Sequence, residues 1–133
     1  MPGLVADTHA VVWFLSGSPF LSPTAHQRMQ ATIQGGDPIF VPTICLVEVI
    51  YLVEKDRLPA SALELIYSHV DEPDSGIELV PLDRGVVEAL SAIPREQVPD
   101  MPDRIIAATA LHLGLPLVSR DPDIRSSGIE LVW

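Results

Sequence analysis

The sequence predicts an α/β fold, a central parallel sheet of about five strands with helices on both faces. Two observations carry this. Short apolar runs alternate with helix-length stretches along the whole chain, and Gly and Pro punctuate the joins. Strands separated by helices of that length need crossover connections, which make the strands parallel and lay the helices over the sheet.

Leu4-Val5-Ala6, after Pro2-Gly3, reads as a short buried strand, followed by a helix from His9 to Leu15. Ser22-Pro23 supplies a cap and a first-turn proline for a helix that Gly35-Gly36 stops. Ile39-Phe40-Val41 is the second strand. A long helix runs from Thr43 to Lys55, and another from Pro59 to Val70. Pro73 to Gly76 is a loop, Ile77 to Val80 the third strand, and Asp83 caps a helix ending near Ile93. Pro94 to Pro102 holds three prolines, Pro94, Pro99 and Pro102, and reads as irregular. Asp103 to Leu113 is a helix closed by Gly114, and Leu115–Val118 and Ile129–Trp133 are the last strands. Gly-Ile-Glu-Leu-Val occurs at 76–80 and again at 128–132, with nothing around it repeating, so it marks two similar strands and no repeat architecture.

The length, 133 residues, suits one domain spanning 1–133. With 47% apolar residues a packed core is expected and a disordered chain is not. One cysteine, Cys45, excludes an intrachain disulfide and favours a reducing compartment. No leader and no bilayer-length apolar run is seen, so a soluble cytoplasmic protein with no membrane association is expected. The net charge of −10 opposes a nucleic-acid partner, because phosphate binding rests on Lys and Arg. Divalent cations at an acidic cluster, or a local basic patch, would reconcile the two.

In open parallel sheets, ligands sit beyond the carboxyl ends of the strands. Asp7 follows the first strand, Thr43 the second, and Ser119-Arg120-Asp121 the fourth. Glu48 lies in Ile44–Val53, a helix apolar nearly all round that therefore reads as buried, less than two turns beyond the second strand. A carboxylate there needs an arginine or a metal. Asp103 at a helix start reads on its own as a cap, Asp100 as a further member of the cluster or a loop residue. Arg104 balances the acids, contacts phosphate, or forms a structural ion pair. Three or four converging carboxylates suit Mg²⁺ or Mn²⁺, one ion or two, and the scattered His9, His26, His69 and His112 give no zinc spacing.

Four segments taken in order resemble the PIN-domain ribonuclease toxins of the VapC kind: Val5–Ala10, Val41–Leu58, Asp100–Ala110 and Leu117–Asp121, with the closing Gly128–Trp133 also similar. The likeness covers essentially the whole chain. It implies a PIN-like three-layer α/β/α fold, a homodimer, a cognate antitoxin of a type II toxin–antitoxin pair, and a Mg²⁺- or Mn²⁺-dependent endoribonuclease acting on RNA. It implies Asp7, Glu48 and Asp103 as catalytic metal ligands, Asp121 as a fourth acid, Asp100 as a neighbouring one, and Thr8, Thr43 and Ser119 as supporting hydroxyls. The chain departs from many relatives at Val98, where they have His, at Val47 and Leu52, where they have Trp and Lys, and at Asp56, where they have Gly.

Two other readings follow from the residues. A PIN-like domain serving as a non-catalytic scaffold or operon regulator suits the −10 charge and leaves the acids without a use. A phosphorelay receiver needs a Lys late in the sheet and paired acids near the first strand; Leu117–Asp121 has no Lys and Asp7 no acidic neighbour.

Overall fold

A computed structural model describes residues 2–125 and 127–133. The elements run β1 Leu4–Ala6, α1 Thr8–Ser16, α2 Pro23–Gln34, β2 Ile39–Pro42, α3 Thr43–Glu54, α4 Ala62–Val70, β3 Ile77–Val80, α5 Arg84–Leu90, α6 Met101–Leu113, β4 Leu117–Val118, α7 Pro122–Arg125 and β5 Leu131–Val132. The five strands form one sheet in the order β3-β2-β1-β4-β5, with every pairing parallel. The chain steps outward from β1 through β2 to β3, then crosses back to β4. Because crossovers between parallel strands are right-handed, that reversal puts helices on both faces, and the fold is a three-layer α/β/α sandwich. The reversal also opens a crevice at the carboxyl ends of β1 and β4, where such sheets take their ligands.

The strands are buried on both sides. Leu4, Val5, Ala6, Ile39, Val41, Leu117 and Val118 are all 1% exposed or less, as expected of a parallel sheet covered by helices. Burial of these aliphatics, with Met29, Ile66, Ile93, Ile106 and Ile124 from the helices, makes one continuous core and supplies the main stabilising free energy. No helix of the described residues is long and apolar enough to cross a membrane.

The structure moves several of the expected boundaries. α4 starts at Ala62, because Pro59–Ala62 forms a turn closed by the Ala62 N–H on the Pro59 carbonyl. α5 stops at Leu90. α6 begins at Met101, inside the stretch read as irregular, with Pro102 in its first turn where a missing N–H costs nothing. β4 lacks Leu115 because the Leu115 N–H closes α6 on the Ala110 carbonyl. α7 has no counterpart among the expected elements.

α3 is the largest correction. Its apolar sequence predicts burial all round, yet Val47, Ile50 and Tyr51 are 46%, 42% and 58% exposed, and only Cys45 and Val49 are fully buried. At its end the chain turns through a Schellman arrangement: Arg57 N–H bonds the Leu52 carbonyl and Asp56 N–H the Val53 carbonyl. Asp56 therefore takes φ 57°, the one left-handed non-glycine among the described residues.

Candidate metal centre

Asp7 leaves β1 and caps α1. Its N–H bonds the Val118 carbonyl of β4, its carbonyl accepts from Val11, and its Oδ1 accepts from the Ala10 N–H at 2.9 Å. One carboxylate oxygen is thus committed to the helix start, and the side chain is fixed at the sheet edge. Ser119, 1% exposed at the end of β4, hydrogen-bonds this carboxylate, and its Oγ accepts from the Asp121 N–H at 3.1 Å. Burial raises the Asp7 pKa, the Ser119 and Ala10 hydrogen bonds oppose that rise, and the Asp121 charge adds to it.

Glu48 projects from the middle of α3 towards α1. Thr8, itself 3% exposed, donates its hydroxyl to Glu48 Oε1 at 2.6 Å, a short charge-assisted bond that sets the rotamer of the acid. Burial raises the pKa of Glu48 as well; the Thr8 bond lowers it, while Asp100 and Asp7 push it further up. Asp103 lies three residues into α6. The cap of that helix is Asp100, whose Oδ2 accepts from the Asp103 N–H at 3.2 Å. Asp103 is therefore not the cap its position in the sequence suggested, and its carboxyl is free to face Glu48. Burial, then the charges of Asp100, Glu48 and Asp121, lift the Asp103 pKa from 3.8 to about 8, and a side-chain hydrogen bond with Asp100 helps retain the proton.

One ligand oxygen from each of Glu48, Asp100 and Asp103 lies within 4.8 Å of the other two. These three border a cleft of about 460 Å³ whose lining also includes Asp7, Thr8 and Asp121. Among the described residues no Lys or Arg forms an ion pair with Glu48, Asp100 or Asp103. Carboxylates that crowd one another without a cation of the chain, Glu48 and Asp103 half-buried and Asp100 exposed, are unfavourable alone, and an all-oxygen donor set of this kind fits a hard divalent ion.

The remaining expected residues lie elsewhere. Thr43 opens α3 half-buried and is not among the residues lining the cleft. Arg104 does not reach the cleft: its Nε donates to the Ile93 carbonyl at 2.9 Å and Nη2 to the Leu90 carbonyl at 3.2 Å, tying α6 to the end of α5. It offers neither a phosphate contact nor a plug for the cluster. Conversely, His9, Trp13, Arg120, Pro122 and Trp133 do line the cleft. Helical spacing held a signal for two of them, since His9 and Trp13 are four residues apart on the helix that Asp7 caps and so share one face. Burial and the Arg120 charge lower the pKa of His9.

The sequence matches the model of the PIN domain family over residues 4–128. It is 28% identical over 126 residues to ribonuclease VapC22 of Mycobacterium tuberculosis, covering 95% of this chain and 92% of that protein. Among solved structures it resembles VapBC2 from Rickettsia felis bound to a DNA fragment from its promoter, with a TM-score of 0.71 at 14% identity over 97% of this chain and 96% of that one. It also resembles a toxin–antitoxin complex from Klebsiella pneumoniae, TM-score 0.56, 21% identity, 89% and 86% covered. FitAcB from Neisseria gonorrhoeae gives a TM-score of 0.55 at 17% identity, with 96% and 95% covered. At such identities the structural likeness speaks for the fold, and the family match speaks for descent. The chain belongs to the PIN domain family.

Proposed function

We propose that residues 1–133 act as a single PIN domain, a divalent-metal-dependent endoribonuclease that hydrolyses RNA phosphodiester bonds and serves as the toxin of a toxin–antitoxin pair. The observation that carries this is the meeting of Glu48, Asp100 and Asp103 oxygens within 4.8 Å, in a cleft also lined by Asp7 and Asp121. Asp7, Glu48 and Asp103 would hold the ion, with Asp121 and Asp100 completing the acidic wall; all-oxygen donors favour Mg²⁺ or Mn²⁺, as one ion or two. When bound, such an ion polarises a phosphoryl oxygen and lowers the pKa of a water.

The chain's own residues do the positioning. The cap to Ala10 and the Ser119 hydroxyl hold the Asp7 carboxylate at the sheet edge, and Thr8 aims Glu48. RNA as substrate and an antitoxin as partner are supported by what the relatives are, a ribonuclease and members of toxin–antitoxin complexes. The exposed Val47, Ile50 and Tyr51 of α3, with Met101 at 65% exposure, form an apolar face suited to a protein partner, and a homodimer is the simplest occupant. A cytoplasmic location goes with this role.

Asp7→Asn tests the assignment: wild-type protein should cleave structured RNA in Mn²⁺ and the variant should not, while both bind the adjacent gene's small DNA-binding product if one is encoded. Full cleavage by the variant in saturating Mn²⁺ refutes the roles given to these acids. The scaffold reading gains support if the wild type binds Mn²⁺ by calorimetry yet cleaves no RNA in a broad pool.

A further inference from the structure

Beside its acids the cleft is lined by an aromatic and cationic group, His9, Trp13, Arg120 and Trp133. Trp13 stands at its centre. Its ring centroid is 5.1 Å from His9, 5.6 Å from Phe20 and 6.1 Å from Trp133, each contact tilted, and the Arg120 guanidinium carbon lies over the ring at 5.0 Å from the centroid. The chain has three Phe, two Trp and two Tyr in total, so gathering both tryptophans and one phenylalanine at a single place is a concentration of its aromatic surface. Trp13 and Trp133 are half-buried and pack against the core, whereas Phe20 is 71% exposed and Arg120 is exposed. Arg120 is also the one Lys or Arg among the described residues lining the cleft, in a chain of net charge −10.

We propose that Arg120, seated on Trp13, is a stacking subsite for an unpaired nucleobase of the RNA, adjoining the acidic cluster. The proposal rests on the nuclease reading above and deepens it by naming the residues that receive a base beside the acids. A guanidinium resting on an indole is a planar cation with one face supported and the other open, and unpaired bases stack on such planes as well as on aromatic rings. Its charge draws the adjoining phosphate into a cleft whose carboxylates would otherwise repel it. Base stacking is tolerant of sequence and blind to paired bases, whose faces are already covered within the duplex. Arg120 and Trp13 are thus positioning residues, upstream of the chemistry at the acids.

The test uses the full chain, with an unstructured 12-nucleotide RNA of mixed sequence and the same RNA annealed to its complement. Steady-state cleavage in Mn²⁺ is compared for wild type, Arg120→Lys, Arg120→Ala and Trp13→Phe, with tryptophan emission followed on RNA titration in Ca²⁺ and thermal unfolding as a check on folding. Expected are quenching by the single strand and not by the duplex, and a KM raised on the order of tenfold in Arg120→Ala at nearly constant kcat. Arg120→Lys, which keeps the charge and loses the plane, should resemble Arg120→Ala, and Trp13→Phe should stay within about threefold of wild type. Cleavage with wild-type KM in Arg120→Lys, or equal quenching by the duplex, overturns the stacking subsite and leaves the nuclease reading standing. Single-strand quenching without cleavage by the wild type supports the subsite while removing the nuclease reading.

Discussion

Asp103 offers the sharpest quantitative test, because its proton links the cluster to stability and to metal binding. Its carboxyl titrates near 3.8 when unperturbed and at about 8 in the folded protein. Between those values the folded state binds more protons than the unfolded one, so stability falls as pH rises from about 4 to about 8. At 1.36 kcal/mol per pH unit the full gap would exceed 5 kcal/mol; cut by about half for the part-exposed position of the group, roughly 3 kcal/mol remains. For a chain of this size that is on the order of 10 °C in Tm. Burial raises Glu48 and Asp7 as well, which adds to the slope with the same sign. A divalent ion reverses it: binding displaces the proton from Asp103, so its affinity should climb with pH up to about 8. The assay is urea and thermal unfolding in EDTA and in Mn²⁺ at pH 5 and pH 8. In EDTA the wild type should be the less stable at pH 8, and Asp103→Asn should be more stable than wild type there while gaining nothing from Mn²⁺. An Asp103→Asn protein that keeps the wild-type pH slope, or that melts below wild type at pH 8 in EDTA, refutes the reasoning.

Thr8→Val removes the 2.6 Å bond to Glu48 at little cost in volume; Mn²⁺ affinity measured by calorimetry should fall about 10- to 100-fold, as when a residue orienting a metal ligand is lost. Arg104→Ala frees the Leu90 and Ile93 carbonyls and should cost about 2 kcal/mol in urea unfolding, with the KM for RNA unchanged, since its guanidinium is engaged away from the cleft. Asp56→Gly relieves a left-handed non-glycine conformation and should stabilise the chain by about 1 kcal/mol, seen as a higher urea midpoint at constant m-value.

Most of the frame was legible in the sequence because parallel strands buried on both faces are written as unbroken apolar runs, as at Leu4–Ala6 and Ile39–Val41. The same logic carried Asp7 and Ser119 to the sheet edge, since a residue directly after a parallel strand has nowhere else to go. Glu48 was marked by its apolar neighbours, but those neighbours misled about α3 itself. An apolar stripe reads identically whether the protein's own core or another molecule covers it, and Val47, Ile50 and Tyr51 face outward. Asp100 and Asp103 were confounded because both lie near a helix start, and only the hydrogen bond from the Asp103 N–H decides which of them caps. Arg104 was left open between phosphate contact and structural pairing for a related reason: sequence puts it next to an acid, whereas helical geometry turns it towards the end of α5. The Trp13–Arg120 contact joins α1 to the segment after β4 across more than a hundred residues, a pairing no local pattern encodes.

The strand order also bears on when in its synthesis the protein becomes active. Of the five strands β1 is made first, yet it lies in the middle of the sheet, and one of its two partners, β4, begins only at Leu117. A nascent chain that has just exposed Glu48 carries two of the acids but can neither seat Asp7, whose N–H waits for Val118, nor supply Asp103. The pocket therefore closes only once the chain is free of the exit tunnel through Val118, so a nuclease of the kind proposed would stay inactive as a half-made fragment.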